Sequence, residues 1–84
     1  MALPLYGFRE GDTLGLLILA DEQETVGSLA QKLEEAASLR VAPSKNVELW
    51  YRDRKLDSMI TLEEAGFVAL DRFDVREVRS RGLS

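Results

Sequence analysis

Leu14-Gly15-Leu16-Leu17-Ile18-Leu19-Ala20, closed by Asp21, is a strand-like run that is apolar on both sides. Alternate side chains of a strand point to opposite faces, so Leu14, Leu16, Ile18 and Ala20 share one face and Leu17 and Leu19 the other. A half-buried strand in a domain with one core alternates apolar with polar residues. This one does not, and in a chain of 84 residues the second face calls for a cover from outside the chain. Two readings of Leu17 and Leu19 stay open: a docking surface on an edge strand, or a satellite cluster beneath the N-terminal residues.

Upstream, residues 3–8 read as a first strand, with Pro4 near its start where a missing N–H does least harm. Arg9-Glu10-Gly11-Asp12 suits a hairpin connection into the second strand. Downstream, Asp21 to Glu24 break the apolar pattern and Thr25 is a good N-cap. Val26, Leu29, Ala30, Leu33, Ala36 and Ala37 then recur at helical spacing, predicting a helix over 26–39 with Lys32, Glu34 and Glu35 off the apolar stripe. Pro43 forbids any continuation. Residues 47–52 read as a strand with Val47, Leu49 and Tyr51 on one face and Glu48, Trp50 and Arg52 on the other. Arg52-Asp53-Arg54 turns the chain, and Lys55-Leu56 is a short edge strand. Thr61 to Phe67 is a single helical turn stopped by Gly66. The last strand, 72–78, points Phe73 and Val75 inward.

This order predicts an α+β fold, the β-grasp: a mixed sheet of four to five strands packed on one long helix. The crossover helix is expected to return the third strand beside the first in the right-handed sense. Residues 1–84 form one domain, with 79–84 as a flexible tail. The composition is that of a globular protein, 45% hydrophobic and 31% charged. The net charge of −4 is uneven: residues 1–39 carry seven acids and two bases, and the remainder eight acids and nine bases. Such a balance argues against nucleic acid as a partner. The bases Arg76, Arg79 and Arg81 read as a solvated terminus rather than a phosphate-binding tail.

The chain has no cysteine and no histidine, which removes disulfides, thiolate chemistry, the common zinc ligands and imidazole acid–base catalysis. No signal peptide is evident, and the longest apolar run, seven residues, falls far short of the ~20 that span a bilayer. The expectation is a cytoplasmic protein without membrane contact. Glu34/Glu35 and Glu63/Glu64 diverge on their helices and read as solvated surface rather than acid–base pairs. Asp71, Asp74 and Glu77 lack calcium-loop spacing, so no metal is assigned. Gly7, Gly11 and Gly15 lack the lysine and hydroxyl of a phosphate loop and read as strand and turn glycines. Trp50, facing away from the helix, is either an interface anchor or a ring lying flat on the sheet under arginine side chains. No cofactor is expected in this chain.

From Leu49-Trp50-Tyr51-Arg52-Asp53-Arg54-Lys55-Leu56-Asp57 through Thr61-Leu62, and back through Pro43 to the Thr25-Val26 helix start, the chain resembles ubiquitin-like domains. It departs from the conjugated modifiers by ending Arg79-Ser80-Arg81-Gly82-Leu83-Ser84, without Gly-Gly. Residues 8–43, Arg40-Val41-Ala42-Pro43 above all, with Met59-Ile60-Thr61, Glu64-Ala65-Gly66-Phe67 and Asp74-Val75, resemble more closely the small B, or γ, subunit of the hydroxylase of bacterial toluene and alkene diiron monooxygenases. Residues 76–84 are more basic and longer than that pattern. The resemblance implies a ubiquitin-like fold and a non-catalytic accessory subunit. It places the diiron centre and substrate pocket in the large α subunit, to which this chain would bind with β in a two-fold hetero-oligomer. The candidate interface residues are Leu17, Leu19, Trp50, Arg52, Arg54 and Arg76. The alternative reading is a free-standing ubiquitin-like protein-interaction module.

Overall fold

Alternation along the first two strands builds a hairpin. In the computed structural model, which describes residues 2–78, β1 (Ala2–Arg9) and β2 (Gly15–Asp21) pair antiparallel with Leu5 opposite Ile18 and Tyr6 opposite Leu17. Pro4 faces Leu19, whose carbonyl points to the open edge and accepts from Lys32 Nζ at 3.0 Å. This is therefore a non-hydrogen-bonded pair, and the ladder to β2 does not need the N–H that proline lacks. Leu14 lies outside β2 and is exposed.

Helix α1 (Val26–Ala36) follows, capped by the Thr25 side chain, which accepts from Ser28 N–H at 3.2 Å. It is three residues shorter than the apolar spacing predicts. Its final turn stops at Ala37, and Arg40 and Val41 N–H both bond back to Ala37 O. β3 (Val47–Tyr51) and the two-residue β4 (Arg54–Lys55) form a hairpin, then come α2 (Leu62–Ala65), closed by Gly66 at a left-handed φ of 88°, and β5 (Arg72–Glu77). The expected tail, residues 79–84, lies outside the described residues.

The sheet order is β2-β1-β5-β3-β4. The third strand is thus not beside the first: β5 takes that place, parallel to β1, and β3 pairs antiparallel with β5. Phe73 and Val75 on β5 are fully buried, which requires neighbours on both sides. β5 fits beside β1 because Phe73 then lies next to Gly7, whose missing side chain leaves room for the ring, while β3 is flanked by β5 and the short β4. The inner face packs Leu5, Ile18, Ala20, Leu49, Phe73 and Val75 against Val26, Leu29, Ala30 and Leu33 of α1. Tyr51 stacks on Phe67 with centroids 4.0 Å apart, and Phe67 meets Phe73 edge-on at 6.3 Å. Gly7 is needed because a Cβ there would lie 2.6 Å from Phe73 Cζ and 2.9 Å from Leu33 Cδ1.

Glu34 is not on the solvated face, as the helical stripe suggests, but buried with Arg9. It lies one turn beyond Ala30 and so borders the apolar face. Arg9 Nε donates to Glu34 Oε2, and its NH2 group to Oε1 at 3.2 Å. Ser44 N–H also donates to Oε1, at 2.9 Å, while Arg9 NH1 donates to Glu10 O at 2.6 Å. The pair thereby joins the end of β1, the last turn of α1 and the loop into β3.

Removing the Glu34 carboxylate leaves the buried Arg9 guanidinium only the exposed Glu77, 3.8 Å away, so Glu34→Ala is expected to cost about 3–5 kcal/mol in urea unfolding. Arg9→Met combined with Glu34→Leu should recover most of that. Gly7→Ala should cost about 1–3 kcal/mol by overpacking against Phe73 and Leu33. An acid limb is also expected. Partial burial raises the Glu24 carboxyl, but hydrogen bonds from Lys32 Nζ, Ser28 Oγ and Asp21 N–H outweigh it and hold the group below its usual range. A depressed folded pKa gives stability that is present above the unfolded value and lost as pH falls through the folded one. The melting temperature should therefore drop below about pH 4, and less steeply in Glu24→Gln.

Candidate functional site

Because β1 lies between β2 and β5, every outward side chain of the sheet falls on one continuous face opposite α1. From the β2 edge inward, Leu19 meets Pro4, Leu17 meets Tyr6 and Gly15 meets Phe8. Leu17, Leu19 and Tyr6 are 56%, 64% and 42% exposed. The N-terminal residues therefore flank the two leucines without covering them, which removes the satellite-cluster reading. At the end of this strip, a Cβ on Gly15 would lie 2.5 Å from Phe8 Cζ, so the Phe8 ring lies across the second strand where it has no side chain.

The other half of the face is charged and aromatic. The register sets Tyr6 beside Arg72, Phe8 beside Asp74, Trp50 opposite Asp74 and Glu48 opposite Arg76. The Arg72 guanidinium lies 4.0 Å from the Phe8 ring centroid and that of Arg76 4.6 Å from the Trp50 centroid. Arg72 also pairs with Asp74 at 3.2 Å. Trp50 Nε1 donates to Glu48 Oε1 at 2.8 Å, and Lys55 Nζ lies 3.6 Å from Glu48 Oε2. Trp50 is half-buried, and its ring lies under the Arg76 guanidinium, as the flat-lying reading expects.

Of the predicted interface residues, Leu17, Leu19, Trp50 and Arg76 come together on this face. Arg52 does not lie on the strand but at the tip of the β3–β4 turn, with φ 52°, followed by Asp53 at 63°. Two left-handed residues make the mirror-image tight turn that matches strand twist. Arg54 is opposite Tyr51, whereas Lys55 is opposite Trp50, so Lys55 rather than Arg54 shares the tryptophan's side. Tyr6, Phe8 and Arg72 also belong to the face. The signal for the first two was the alternation within β1, where Leu3, Leu5 and Gly7 point inward.

The polar groups elsewhere are engaged in structure. Among the described residues no buried side-chain nitrogen or oxygen lacks a hydrogen-bond partner, and no three acids stand close enough to hold a metal ion. Burial and the neighbouring Asp71 carboxylate push the Tyr51 phenol above its ordinary pKa, and the phenol donates to Asp71 Oδ2. It is a structural donor. A groove of about 640 Å³ opens between the first turn of α1 and the β3–β4 hairpin, floored by Val26, Ala30, Val47, Leu49 and Leu56. No described helix is long and apolar enough to cross a membrane. What the arrangement presents is a two-part outward face, apolar on β1 and β2 and charged and aromatic on β5, β3 and β4.

Comparison with known proteins follows the same line. The fold is similar to a chain of the toluene 4-monooxygenase HD complex with the inhibitor 4-bromobenzoate, with TM-score 0.85 and 22% identity over 93% of this chain and 100% of that one. It is similar also to the ubiquitin of Caldiarchaeum subterraneum (TM-score 0.75, 23% identity, 98% and 100% covered). A third likeness is to the ubiquitin-like domain of Plasmodium falciparum Dsk2 (TM-score 0.78, 13% identity, 93% and 100% covered). These likenesses establish the ubiquitin-like fold. No curated protein sequence matches. The family model of toluene-4-monooxygenase system protein B matches residues 2–76, nearly the whole chain, and the chain belongs to that family.

Proposed function

We propose that this chain is a non-catalytic accessory (γ) subunit of the hydroxylase of a multicomponent diiron hydrocarbon monooxygenase. It docks on the large α subunit, which with β completes a two-fold assembly in the cytoplasm. The diiron centre and the hydrocarbon pocket belong to the large subunit, and this chain contributes no reacting group. Family membership over residues 2–76 supports the assignment to a monooxygenase system. The observation that carries the docking reading is the strip of Leu17, Leu19 and Tyr6, left open on the face opposite α1.

Covering that strip has a definite energetic return. Burying the remaining surface of Leu17 and Leu19 is worth about 1–2 kcal/mol each, given how exposed they are. Lys32, bound to Leu19 O at the open edge, blunts the backbone of β2 against strand addition, which favours docking through the face over docking through the edge. The rival, a free-standing ubiquitin-like interaction module, draws on the same fold likenesses and predicts a partner outside any oxygenase.

Co-expressed with the large hydroxylase chain, the protein should co-purify in equal stoichiometry, and the isolated chain should hold no iron. Leu17→Ser with Leu19→Ser should weaken the complex at least about tenfold while leaving the melting temperature of the free chain within a few degrees. Failure of the wild-type chain to associate with any diiron hydroxylase subunit overturns the proposal.

A further inference from the structure

The chain is acidic, yet its charge is segregated. Five bases gather at one place: Lys55, Arg72 and Arg76 on the outward side of β3, β4 and β5, and Arg52 and Arg54 at the hairpin beside it, with four acids, Glu10, Glu48, Asp53 and Asp74. The rest of the described chain carries four bases against eleven acids. Of the four acids in the basic region, Asp74 is taken by Arg72, Glu48 by Lys55 and the Trp50 indole, and Glu10 accepts from Glu77 N–H. Among the described residues Arg52, Arg54 and Arg76 form no ion pair.

We infer that the β3–β4–β5 half of the outer face receives a carboxylate-bearing segment of the partner subunit, read by Arg76 on Trp50 and flanked by Arg72 on Phe8 and by Arg52 at the hairpin tip. The inference rests on the docking role proposed above and names the chemistry of its second half. Stacking on aromatic rings holds the Arg72 and Arg76 guanidinium groups in place before binding, so pairing with a carboxylate costs little side-chain ordering. A guanidinium takes a carboxylate through two parallel hydrogen bonds, which a lysine in its place would not. From β5 to β4 the region is about 10 Å across, two strand spacings, matching the width of one helix or one extended segment lying over it.

The partner is a polypeptide rather than a nucleic acid or an anionic membrane. The basic region is small and adjoins the apolar Leu17, Leu19 and Tyr6 strip on the same face. The acids that dominate the rest of the molecule lie within a few Debye lengths, about 8 Å each, and repel an extended polyanion. A protein surface with an apolar ridge beside an acidic segment fits both halves at once.

Titration of the large hydroxylase subunit against wild-type chain, Arg76→Glu and Arg72→Glu/Arg76→Glu, each at low and high salt, tests this. Circular dichroism first establishes that the variants fold, as expected for outward side chains. Wild-type affinity should fall with salt, Arg76→Glu should bind about tenfold more weakly at low salt, and the double reversal should lose the salt dependence. Arg76→Lys should retain only part of the affinity, and Leu17→Ser/Leu19→Ser should bind weakly with the salt dependence unchanged. Wild-type binding indifferent to both reversals overturns the acidic-segment inference and leaves the docking role standing. Absence of wild-type binding overturns both. Tighter binding of the wild-type chain to duplex DNA or to phosphatidylserine vesicles than to the subunit also overturns it.

Discussion

The buried pair of Arg9 and Glu34 is the constraint on which the arrangement of this small domain turns. Both charges are out of water and neutralise each other, and Glu77 Oε2 lies 3.8 Å from Arg9 NH2 on the surface side. The pair closes a loop between the end of β1, the last turn of α1 and the segment entering β3, with Ser44 N–H and Glu10 O completing the set of hydrogen bonds. A purely apolar helix–sheet contact tolerates sliding by a residue or a turn. This one does not, because a displaced helix would leave a guanidinium facing hydrocarbon. With the helix so placed, Leu33 meets the glycine gap at Gly7 and the Phe73 ring.

With one face of the sheet committed to α1, the opposite face inherits whatever the strands carry at alternate positions. On β1 and β2 that is leucine, proline and tyrosine; on β5, β3 and β4 it is arginine, carboxylate and tryptophan. Domains of this size normally make the outer face polar throughout. The docking role proposed above gives a reason for the exception: on that reading the face is surface only in the isolated chain. The same domain shape serves ubiquitin and the ubiquitin-like domain of Dsk2, so shape alone says nothing about role. The outer side chains do.

Much of this was legible in the residues. Period-two alternation locates four strands, Thr25 and Thr61 announce the helix starts, and Phe73 and Val75 declare the inner side of β5. Leu17 and Leu19 stand out as a second apolar side of β2, although the residues alone leave open whether the N-terminal segment covers them. Three features were not legible. Glu34 looks like a surface acid because a helical stripe gives an angle, not a depth, and its partner is 25 residues away in sequence. The place of β5 beside β1 depends on Phe73 fitting against Gly7, a match between distant residues that no local pattern records. Arg72 and Phe8 meet only through the parallel β1–β5 register.

Local chemistry, then, was determined by the sequence alone: element types, the inner and outer sides of the long strands, the lack of histidine and cysteine, and the family pattern carried by Arg40-Val41-Ala42-Pro43 and its neighbours. Side-chain period and capping act over a few residues, so they survive without a fold. Tertiary structure alone decided the strand order, the burial of an ion pair, and the assembly of seven aromatic, arginine and leucine side chains from four strands into one face. Those are contacts between residues distant in the chain, and only packing brings them within reach.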